Sequence, residues 1–219
     1  MRCDCGCEFE PVVQYRHRIL CGDCTDTMVV ERLIQGEKVQ AILTDPPYGI
    51  HVDHEMHKKG GQQYGNAAAS KNYYAATNWD TAPPDASHLS YLLTLAPAVI
   101  LWGGNYFPLP PARCFLVWDK QNEGNQFADC ELAWTNLDKP VRLIRHLWNG
   151  MLREGHEARL GHPTQKPLAV IQWALEQFPE TARIIFDPYL GTGTTLIACE
   201  QLKRHCRGIE IDPGYVAVT

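Results

Sequence analysis

The chain has 219 residues, 45% of them hydrophobic and 21% charged, and a formal net charge of −5. This length fits one domain of generous size or one domain with a small attachment. No run approaches the roughly 18 apolar residues of a membrane span, and the N-terminus lacks the apolar core of a signal peptide. We therefore predict a cytoplasmic protein without membrane contact. The acidic charge argues against a generic nucleic-acid coat protein but leaves room for an enzyme with a local basic face.

Nine cysteines are many for a cytosolic protein, and their odd number argues against a complete disulfide framework. Cys3, Cys5 and Cys7, together with Cys21–Cys24, offer zinc ligands in principle. Their spacing differs from the paired cysteines of most structural zinc sites. We predict an irregular leader over residues 1–15 and no metal site.

The first predicted unit is a strand, a helix and a second strand. The strands cover Arg18–Cys21 and residues 39–44, and the helix between them covers Met28–Ile34. Short links between such elements predict a parallel, doubly wound sheet. The second strand ends at Asp45, so this carboxylate lies at the sheet edge where ligands bind in open α/β folds.

The residues after this strand read Asp-Pro-Pro-Tyr. Pro46 and Pro47 fix φ twice and remove two N–H donors, so the carbonyls of Asp45 and Pro46 have no place in a sheet ladder. With the ring of Tyr48 beside them, they make a stiff set of acceptors that suits a planar molecule with an NH2 group, such as a nucleobase. The simpler alternative is that the prolines only end a strand.

Residues 51–82 show no sustained apolar periodicity, and a loop of this length is usually functional or disordered. Aromatic residues are interleaved with lysines along it, a pattern that suits stacking on bases and pairing with phosphates. The candidate DNA contacts in this loop are Lys58, Lys59, Lys71, Tyr73 and Tyr74. A plain mobile lid is the alternative.

The middle of the chain predicts a helix from Asp85 to Pro97 and then four strands. The strands cover Ala98–Trp102, Cys114–Trp118, Phe127–Trp134 and Val141–Leu147. Because the last three follow one another without helices, we predict an antiparallel edge of the sheet.

A basic segment follows. From Lys139 to Lys166 there are six lysines and arginines against two glutamates, within an acidic chain. We take residues 135–161 as a short candidate segment for DNA recognition. Its candidate DNA contacts are Arg142, Arg145, Arg153 and Arg159. A solvated face without a partner is the alternative.

A glycine-rich stretch links two elements near the C-terminus, between a strand over Arg183–Phe186 and a helix that begins at Thr194. Its glycines, Gly191 and Gly193, permit close approach of a ligand above the helix N-terminus. A P-loop needs a lysine after the glycines, and a dinucleotide fingerprint needs a third glycine; this stretch has neither.

Acidic residues at two strand ends narrow the choice of ligand. Asp187 is placed for a ligand ammonium group, and Glu210, at the end of the next strand, is placed for ribose hydroxyls. An adenosine with an amino-acid tail and no phosphate satisfies both. S-adenosylmethionine is such a molecule.

The Asp-Pro-Pro-Tyr motif and the glycine motif together resemble the catalytic and cofactor motifs of DNA amino-methyltransferases of the adenine-N6 and cytosine-N4 type. Their order resembles the β group of that family. Cys21–Asp23 and His162–Pro167 are similar to two further family segments. The resemblance covers the chain from about Arg16 and implies one methyltransferase domain over residues 16–219. The implied fold is α/β: a circularly permuted Rossmann-like, S-adenosylmethionine-dependent methyltransferase fold, whose mostly parallel sheet has an antiparallel edge.

The resemblance also implies roles for single residues. Asp45 and the carbonyl of Pro46 would accept hydrogen bonds from the target amine, and Tyr48 would stack on the base, with Pro47 completing the catalytic motif. For Asp23, a helix-capping role is the alternative. The implied cofactor contacts are Asp23, Thr164, Lys166, Asp187, Tyr189, Gly191, Thr192, Gly193, Thr194, Glu210 and Asp212.

The resemblance implies methylation of adenine N6 in double-stranded DNA, because aspartate in the first motif position leans toward adenine. Cytosine N4 is one alternative, and a catalytically weak DNA-binding homologue is another. The resemblance further implies a bacterial, phage or mobile-element context, as in restriction and modification. The oligomeric state stays open, with a homodimer as one option.

Overall fold

The computed structural model describes residues 16–50, 80–122, 128–148 and 165–219. The predicted leader over residues 1–15 lies outside these ranges, as does most of the predicted loop over residues 51–82. The candidate zinc ligands Cys3, Cys5 and Cys7 also lie outside these ranges. The predicted contact residues outside the ranges are Lys58, Lys59, Lys71, Tyr73, Tyr74, Arg153, Arg159 and Thr164.

Strands and helices alternate along the described residues. The strands are β1 Arg18–Cys21, β2 Ala41–Thr44, β3 Ala98–Trp102, β4 Cys114–Asp119, β5 Cys130–Thr135, β6 Arg142–Arg145, β7 Ile184–Asp187 and β8 His205–Glu210. The helices are α1 Thr27–Ile34, α2 Ala86–Leu95, α3 Leu168–Glu176, α4 Thr194–Gln201 and α5 Pro213–Val218. Each strand and helix predicted from the sequence overlaps one of these elements, with ends that differ by a few residues.

The strands form one sheet in the order β1-β8-β7-β2-β3-β5-β4-β6. Every pairing from β1 to β3 is parallel. Strand β5 runs antiparallel to both β3 and β4, which confirms the predicted mixed sheet with an antiparallel edge. The outermost strand, β6, is parallel to β4. It pairs there because both edges of β5 are already occupied.

The two predicted motifs follow neighbouring strands of this sheet. Strand β2 leads to the Asp-Pro-Pro-Tyr motif and β7 leads to the glycine motif, and Ile42 of β2 pairs with Phe186 of β7. In parallel strands the carboxyl ends lie at one edge, so both motifs leave the sheet on the same side. An early strand beside a late one is the arrangement that a permuted Rossmann-like sheet requires.

Local signals fix the ends of the helices that flank the sheet. Asp26 caps α1 by accepting a hydrogen bond from the backbone N–H of Met28 at 2.9 Å. Asp85 caps α2 in the same way through His88, at 2.7 Å. Side chains of this type satisfy N–H groups that the helix itself leaves free. Both caps lie at the starts of helices that the sequence predicts.

The sheet is buried on both faces by these helices. One face contributes alternate residues of β2 and β3 to a core with α3 and α4, and the other contributes the intervening residues to a core with α1 and α2. The first core includes Ala41, Leu43, Ile100, Ala174, Leu175 and Ala198. The second includes Leu33, Ile42, Leu89, Leu92, Val99 and Leu101. Such double coverage makes the central strands continuously apolar and leaves the carboxyl edge as the place for a site.

Among the described residues, no helix is long and apolar enough to span a membrane. The same residues contain no cluster of three or more histidine, cysteine, aspartate or glutamate side chains that could hold a metal ion.

Candidate functional site

Asp45 emerges from the end of β2 with both carboxylate oxygens bound. The hydroxyl of Tyr48 donates a hydrogen bond to Oδ1 at 2.6 Å. The ammonium of Lys166 binds Oδ2 and lies 3.2 Å from the hydroxyl oxygen of Tyr48. The three groups thus form a closed triangle at the carboxyl edge of the sheet. The sequence placed Asp45 and Tyr48 together, and the structure adds Lys166 to them.

The backbone around Tyr48 is held from both ends. Pro46 is buried and Pro47 is half-buried, and both have trans peptide bonds. Beyond Tyr48, the backbone N–H of Gly49 donates to the buried carboxylate of Asp80 at 2.8 Å. These constraints fix the direction in which Asp45 and Tyr48 leave the sheet.

The ring of Tyr48 packs against the turn that follows β3. It stacks on Tyr106 with a centroid distance of 4.8 Å and an interplanar angle of 14°, and it meets Phe107 edge-on at 6.1 Å. Gly103 lies against the ring with φ of 71°, and a Cβ there would come within 2.2 Å of a ring carbon. From the sequence, this turn was predicted only to end the strand Ala98–Trp102, without a contact to Tyr48. Tyr106 is exposed, so sequence reasoning missed an aromatic partner at the site.

Lys166 is buried between two carboxylates. Besides Asp45, its ammonium contacts Glu131 of β5 at 3.1 Å, and it lies 5.3 Å from the ring centroid of Trp102. Burial lowers the pKa of Lys166, but the two carboxylates outweigh burial and the pKa is raised. The lysine therefore stays charged. The resemblance placed it beside the cofactor, whereas in the structure its charge is directed at Asp45.

Glu131 is a second residue that sequence reasoning missed. It binds Lys166 on one side and Lys120 on the other. Burial raises the pKa of Glu131, but the two lysines outweigh burial and lower this pKa to about 2. Its signal in the sequence is a single glutamate within the apolar strand Cys130–Thr135. An ionisable residue there needs a charged partner when the strand is buried.

Asp187 ties the two motif-bearing strands together at their ends. Its Oδ1 accepts hydrogen bonds from the hydroxyl of Thr44 at 2.8 Å and from the backbone N–H of Tyr189 at 3.1 Å. Burial raises the pKa of Asp187 to about 6, against hydrogen bonds from Thr195 and Thr44 that lower it. This carboxylate is 3% exposed. It thus anchors the glycine loop to the end of β2.

The glycine loop closes onto Glu210. Gly191 and Gly193 have positive φ values of 57° and 84°, and Gly193 is the N-cap of α4. The backbone N–H of Gly191 donates to Oε2 of Glu210 at 2.7 Å, and that of Asp212 donates to Oε1 at 2.8 Å. Burial raises the pKa of Glu210. Each of its oxygens keeps a second lone pair for a ligand hydroxyl.

The remaining predicted cofactor residues surround this loop. Thr192 is buried in it, and Thr194 is the first residue of α4. Asp212 caps α5 by accepting a hydrogen bond from Gly214 at 2.7 Å. A cap is the role that the structure gives Asp212, and its cofactor contact stays a prediction.

Asp23 lies at the end of β1, next to β8. Its Oδ1 accepts hydrogen bonds from the backbone N–H and the hydroxyl of Thr25, each at 2.8 Å. The alternative of a helix-capping role is wrong, because Asp26 is the N-cap of α1. Cys24 beside it is buried, and burial raises its pKa to about 12. The thiol contacts the hydroxyl of Tyr189, so the Asp23 turn and the glycine loop meet.

Of the predicted DNA contacts, Arg142 and Arg145 lie in the described residues. Both are exposed on the edge strand β6. Because β6 is parallel to β4, and β4 runs in the direction of β3, Arg145 lies at the edge of the sheet that carries Asp45, and Arg142 lies toward the opposite edge. Arg145 also contacts Asp119 at 3.1 Å. Part of the predicted recognition segment over residues 135–161 is thus built into the sheet.

Comparison with known protein families and curated sequences gives consistent matches. A family model described as DNA methylase, of the N6 and N4 methyltransferase type, matches residues 111–219. The type II methyltransferase M.BglII of Bacillus subtilis is 36% identical over 67 residues, which cover 31% of this chain and 19% of that relative. M.HinfI of Haemophilus influenzae is 20% identical over 257 residues, covering 95% of this chain and 68% of the relative. The chain thus spans about a fifth of the first relative's length.

Solved structures share the fold. The crystal structure of M1.HpyAVI aligns with a TM-score of 0.56 at 21% identity, over 92% of this chain and 95% of that chain. The structure of its complex with SAM gives a TM-score of 0.53. The PvuII DNA methyltransferase, described as cytosine-N4-specific, aligns with a TM-score of 0.51 at 15% identity, over 92% of this chain and 84% of that chain. At these identities the likeness shows the fold, and it confirms the predicted methyltransferase fold.

Proposed function

We propose that this chain is a DNA methylase of the adenine-N6 and cytosine-N4 type, the family whose model matches residues 111–219, and that it transfers a methyl group from S-adenosylmethionine to N6 of adenine in double-stranded DNA. The observation that carries the proposal is the junction of the two motifs. The hydroxyl of Thr44, which precedes Asp45, donates to Asp187, which precedes the glycine loop, at 2.8 Å. The proposed amine acceptor and the proposed methyl-donor loop are therefore joined by a hydrogen bond between the ends of β2 and β7.

The residues of the glycine loop fit S-adenosylmethionine. Two glycines with positive φ let a ligand approach the backbone, and the N-terminus of α4 follows them. Glu210 has lone pairs for the ribose hydroxyls, and the Asp187 carboxylate favours a cationic ammonium nearby. When bound, this cofactor supplies an electrophilic methyl group on a sulfonium sulfur. Asp23 and Tyr189, which meet at the same edge, complete the proposed cofactor contacts, with Lys166, Thr164, Thr192, Gly193, Thr194 and Asp212 as the others.

Asp45 supplies the chemistry on the acceptor side. The lone pair of an exocyclic amine is delocalised into its ring, so the amine is a weak nucleophile. Hydrogen bonds from the amine to Asp45 and to the carbonyl of Pro46 localise that pair and stabilise the positive charge that develops on nitrogen. Lys166 lowers the pKa of Asp45 against the opposing effect of burial. The pKa of Asp45 is raised overall because burial outweighs the lysine, and in the proposed reaction Lys166 favours the ionised acceptor while Tyr48 offers its ring to the base.

DNA has to present the base outside its helix, because the amine is buried in the base stack. Lys58, Lys59, Lys71, Tyr73, Tyr74, Arg142, Arg145, Arg153 and Arg159 stay our predicted contacts for the strand. The exposed position of Arg145 at the catalytic edge supports its place in this set. Assembly as a homodimer also stays a prediction.

The choice of adenine rests on the resemblance of the first motif position. Aspartate there leans toward adenine, and serine is more frequent in cytosine-N4 enzymes. Cytosine N4 is the alternative within the same chemistry, since both targets are exocyclic amines. The other alternative is a DNA-binding homologue with weak catalysis.

One experiment separates these functions. Plasmid DNA is incubated with the protein and S-adenosylmethionine carrying a labelled methyl group, then digested to nucleosides for mass spectrometry. Labelled N6-methyladenine supports the proposal, and label only in N4-methylcytosine overturns the adenine assignment. Absence of label, together with absence of S-adenosylmethionine binding in isothermal titration calorimetry, favours the inactive homologue.

A further inference from the structure

Four alternating charges run in a line through the site. Lys120 follows β4, Glu131 lies on β5, Lys166 precedes α3 and Asp45 follows β2. Glu131 binds both ammonium groups, with that of Lys166 at 3.1 Å, and Lys166 binds Asp45 in turn. Two cations and two anions alternate, so the line as a whole is neutral.

The line lies in surroundings that make its members depend on one another. The side chains of Lys120 and Glu131 are 18% and 23% exposed, and that of Lys166 is 7% exposed. The Lys120 ammonium lies 4.9 Å from the ring centroid of Trp118, and that of Lys166 lies 5.3 Å from the ring centroid of Trp102. Away from water, a charge is compensated mainly by its neighbours, so a change in one alters the others.

Asp45 has two needs that conflict. It has to be ionised to accept hydrogen bonds from an amine, which requires a cation nearby. It also has to keep lone pairs open: Tyr48 binds one of its oxygens and Lys166 the other, and each oxygen keeps one further lone pair. A lysine that served Asp45 alone would compete with the amine for these lone pairs.

We propose, on the premise of the proposed function, that Glu131 is a positioning residue for methyl transfer: it shares the Lys166 ammonium with Asp45 and thereby keeps the Asp45 carboxylate available to the target amine. Lys120 binds the same glutamate and thereby weakens the attraction of Glu131 for Lys166. The contacts at both ends of Glu131 carry the inference, and neither involves the residues that form the cofactor loop.

The described groups around Asp45 set the direction of the expected effect. Burial raises the pKa of Asp45 most, Lys166 and the hydrogen bond from Tyr48 lower it, and repulsion from Glu131 raises it. Asp187 faces it from β7, and the charge of Asp45 raises the pKa of Asp187. Tyr106 is in contact with Tyr48, and Lys120 with Glu131.

Two substitutions at the line should have opposite effects on pH dependence. In Glu131→Gln the repulsion is lost and Lys166 turns to Asp45, so the pKa of Asp45 falls and the acidic limb of kcat/KM for methyl transfer moves to lower pH. We expect kcat to fall about ten- to a hundredfold, as for other misplaced catalytic groups. In Lys120→Met, Glu131 loses one cation and attracts Lys166 more strongly. Lys166 then stabilises the ionised Asp45 less, so the pKa of Asp45 rises and the acidic limb should move to higher pH.

The matched control is Asp138→Asn, which removes a carboxylate that pairs with Arg113 on the exposed surface. It should change neither kcat nor the acidic limb. Opposite shifts of the limb in Glu131→Gln and Lys120→Met support the inference. Shifts in one direction, or a lower kcat with an unmoved limb, overturn it, because a merely structural role of Glu131 lowers activity without moving the limb.

A measurement without turnover keeps this inference separate from the proposed function. The pKa of the Asp45 carboxyl is followed by carbon-13 NMR titration, with its resonance identified by its absence in Asp45→Asn. A lower pKa of Asp45 in Glu131→Gln and a higher one in Lys120→Met support the inference, and any other pattern overturns it, even where the wild-type protein transfers no methyl group to DNA. If Glu131→Gln does not fold, Lys120→Met and the charge-conserving Glu131→Asp, which should keep the wild-type pKa, decide the question.

Discussion

The ammonium of Lys166 binds the carboxylate of Asp45, which lies 121 positions earlier in the chain. Of the two side chains, that of Lys166 is 7% exposed and that of Asp45 is 29% exposed. The pair is therefore closed to water on the side of the lysine and open on the side of the aspartate. The open side is the one from which an amine would approach, so the fold provides a fixed cation behind an accessible acceptor.

Loss of this cation should move the pH dependence of the reaction. Burial raises the pKa of Asp45 and Lys166 lowers it, so the Lys166→Met variant should have an Asp45 of higher pKa. Since the acceptor has to be ionised, the acidic limb of kcat/KM should move to higher pH, and activity near neutral pH should fall. Rates of labelled methyl transfer to DNA between about pH 5 and pH 9 test this.

The control for Lys166→Met is Lys38→Met, which removes the same charge from an exposed position before β2. Its profile should coincide with that of the wild-type protein. An acidic limb of Lys166→Met that stays in place or moves to lower pH would contradict the assigned role of the lysine.

Replacement of the acceptor itself should separate chemistry from cofactor binding. Asp45→Asn keeps the shape of the side chain but removes the charge that stabilises a developing ammonium, so we expect kcat to fall at least about a hundredfold. The hydrogen bond that joins β2 to Asp187 before the glycine loop comes from Thr44 and not from Asp45, so affinity for S-adenosylmethionine in isothermal titration calorimetry should be unchanged. Equal losses of transfer and of cofactor affinity would show that Asp45 has another role.

Gly103 offers a test of the wall that holds Tyr48. Gly103 and Gly36 have similar φ values of 71° and 75°, but an added Cβ would lie 2.2 Å from the Tyr48 ring at Gly103 and would meet nothing within 4 Å at Gly36. Alanine at either position should cost about 1 kcal/mol or more in backbone strain. Gly103→Ala should lose further stability and also methyl transfer, because the ring and its hydrogen bond to Asp45 are displaced.

Unfolding in urea and kcat of both variants measure this difference. Gly36→Ala is the matched control, since it shares the strain without the steric overlap, and its kcat should equal that of the wild-type protein. Equal stability and equal kcat in the two alanine variants would mean that the Tyr48 ring has room to move.

Sequence patterns predicted the parts of this molecule that depend on near neighbours. The helices capped by Asp26 and Asp85 and the strand Ala98–Trp102 are local features, and short motifs were enough to predict the methyltransferase fold. The contact of Lys166 with Asp45 and Glu131 is of another kind. It depends on how β5 is inserted between β3 and β4, a long-range pairing that no local pattern encodes.

The same reason explains the outcome for Tyr106 and Arg142. Tyr106 is an exposed residue in a turn, and only the path of the chain after β3 brings its ring to Tyr48. Arg142 and Arg145 are close in sequence and equally basic, yet the direction of β6 places Arg142 away from the sheet edge that carries Asp45. Composition indicated a basic segment, whereas its orientation follows from strand pairing.

The hydrogen bond between Thr44 and Asp187 should make stability depend on pH. The pKa of Asp187 is raised from 3.8 to about 6 by burial, so its contribution to stability is present below pH 3.8 and is lost as pH rises through about 6. The Thr44 hydroxyl donates a hydrogen bond to Oδ1 of Asp187 at 2.8 Å and so stabilises the ionised form of Asp187. In Thr44→Val this form loses a donor, and the pKa of Asp187 should rise further.

The free energy of unfolding of Thr44→Val should therefore fall short of the wild-type value by an amount that grows with pH. Near pH 4 both proteins hold a protonated Asp187 and should differ little, while near pH 7.5 the deficit should reach about 1–3 kcal/mol, the cost of a buried polar group with a lost partner. Urea unfolding at both pH values measures it. Thr94→Val, which removes an exposed hydroxyl bound to the carbonyl of Tyr91 on α2, should show no such growth. A deficit of Thr44→Val that is constant with pH would mean that Asp187 stays protonated over this range and that Thr44 contributes only packing.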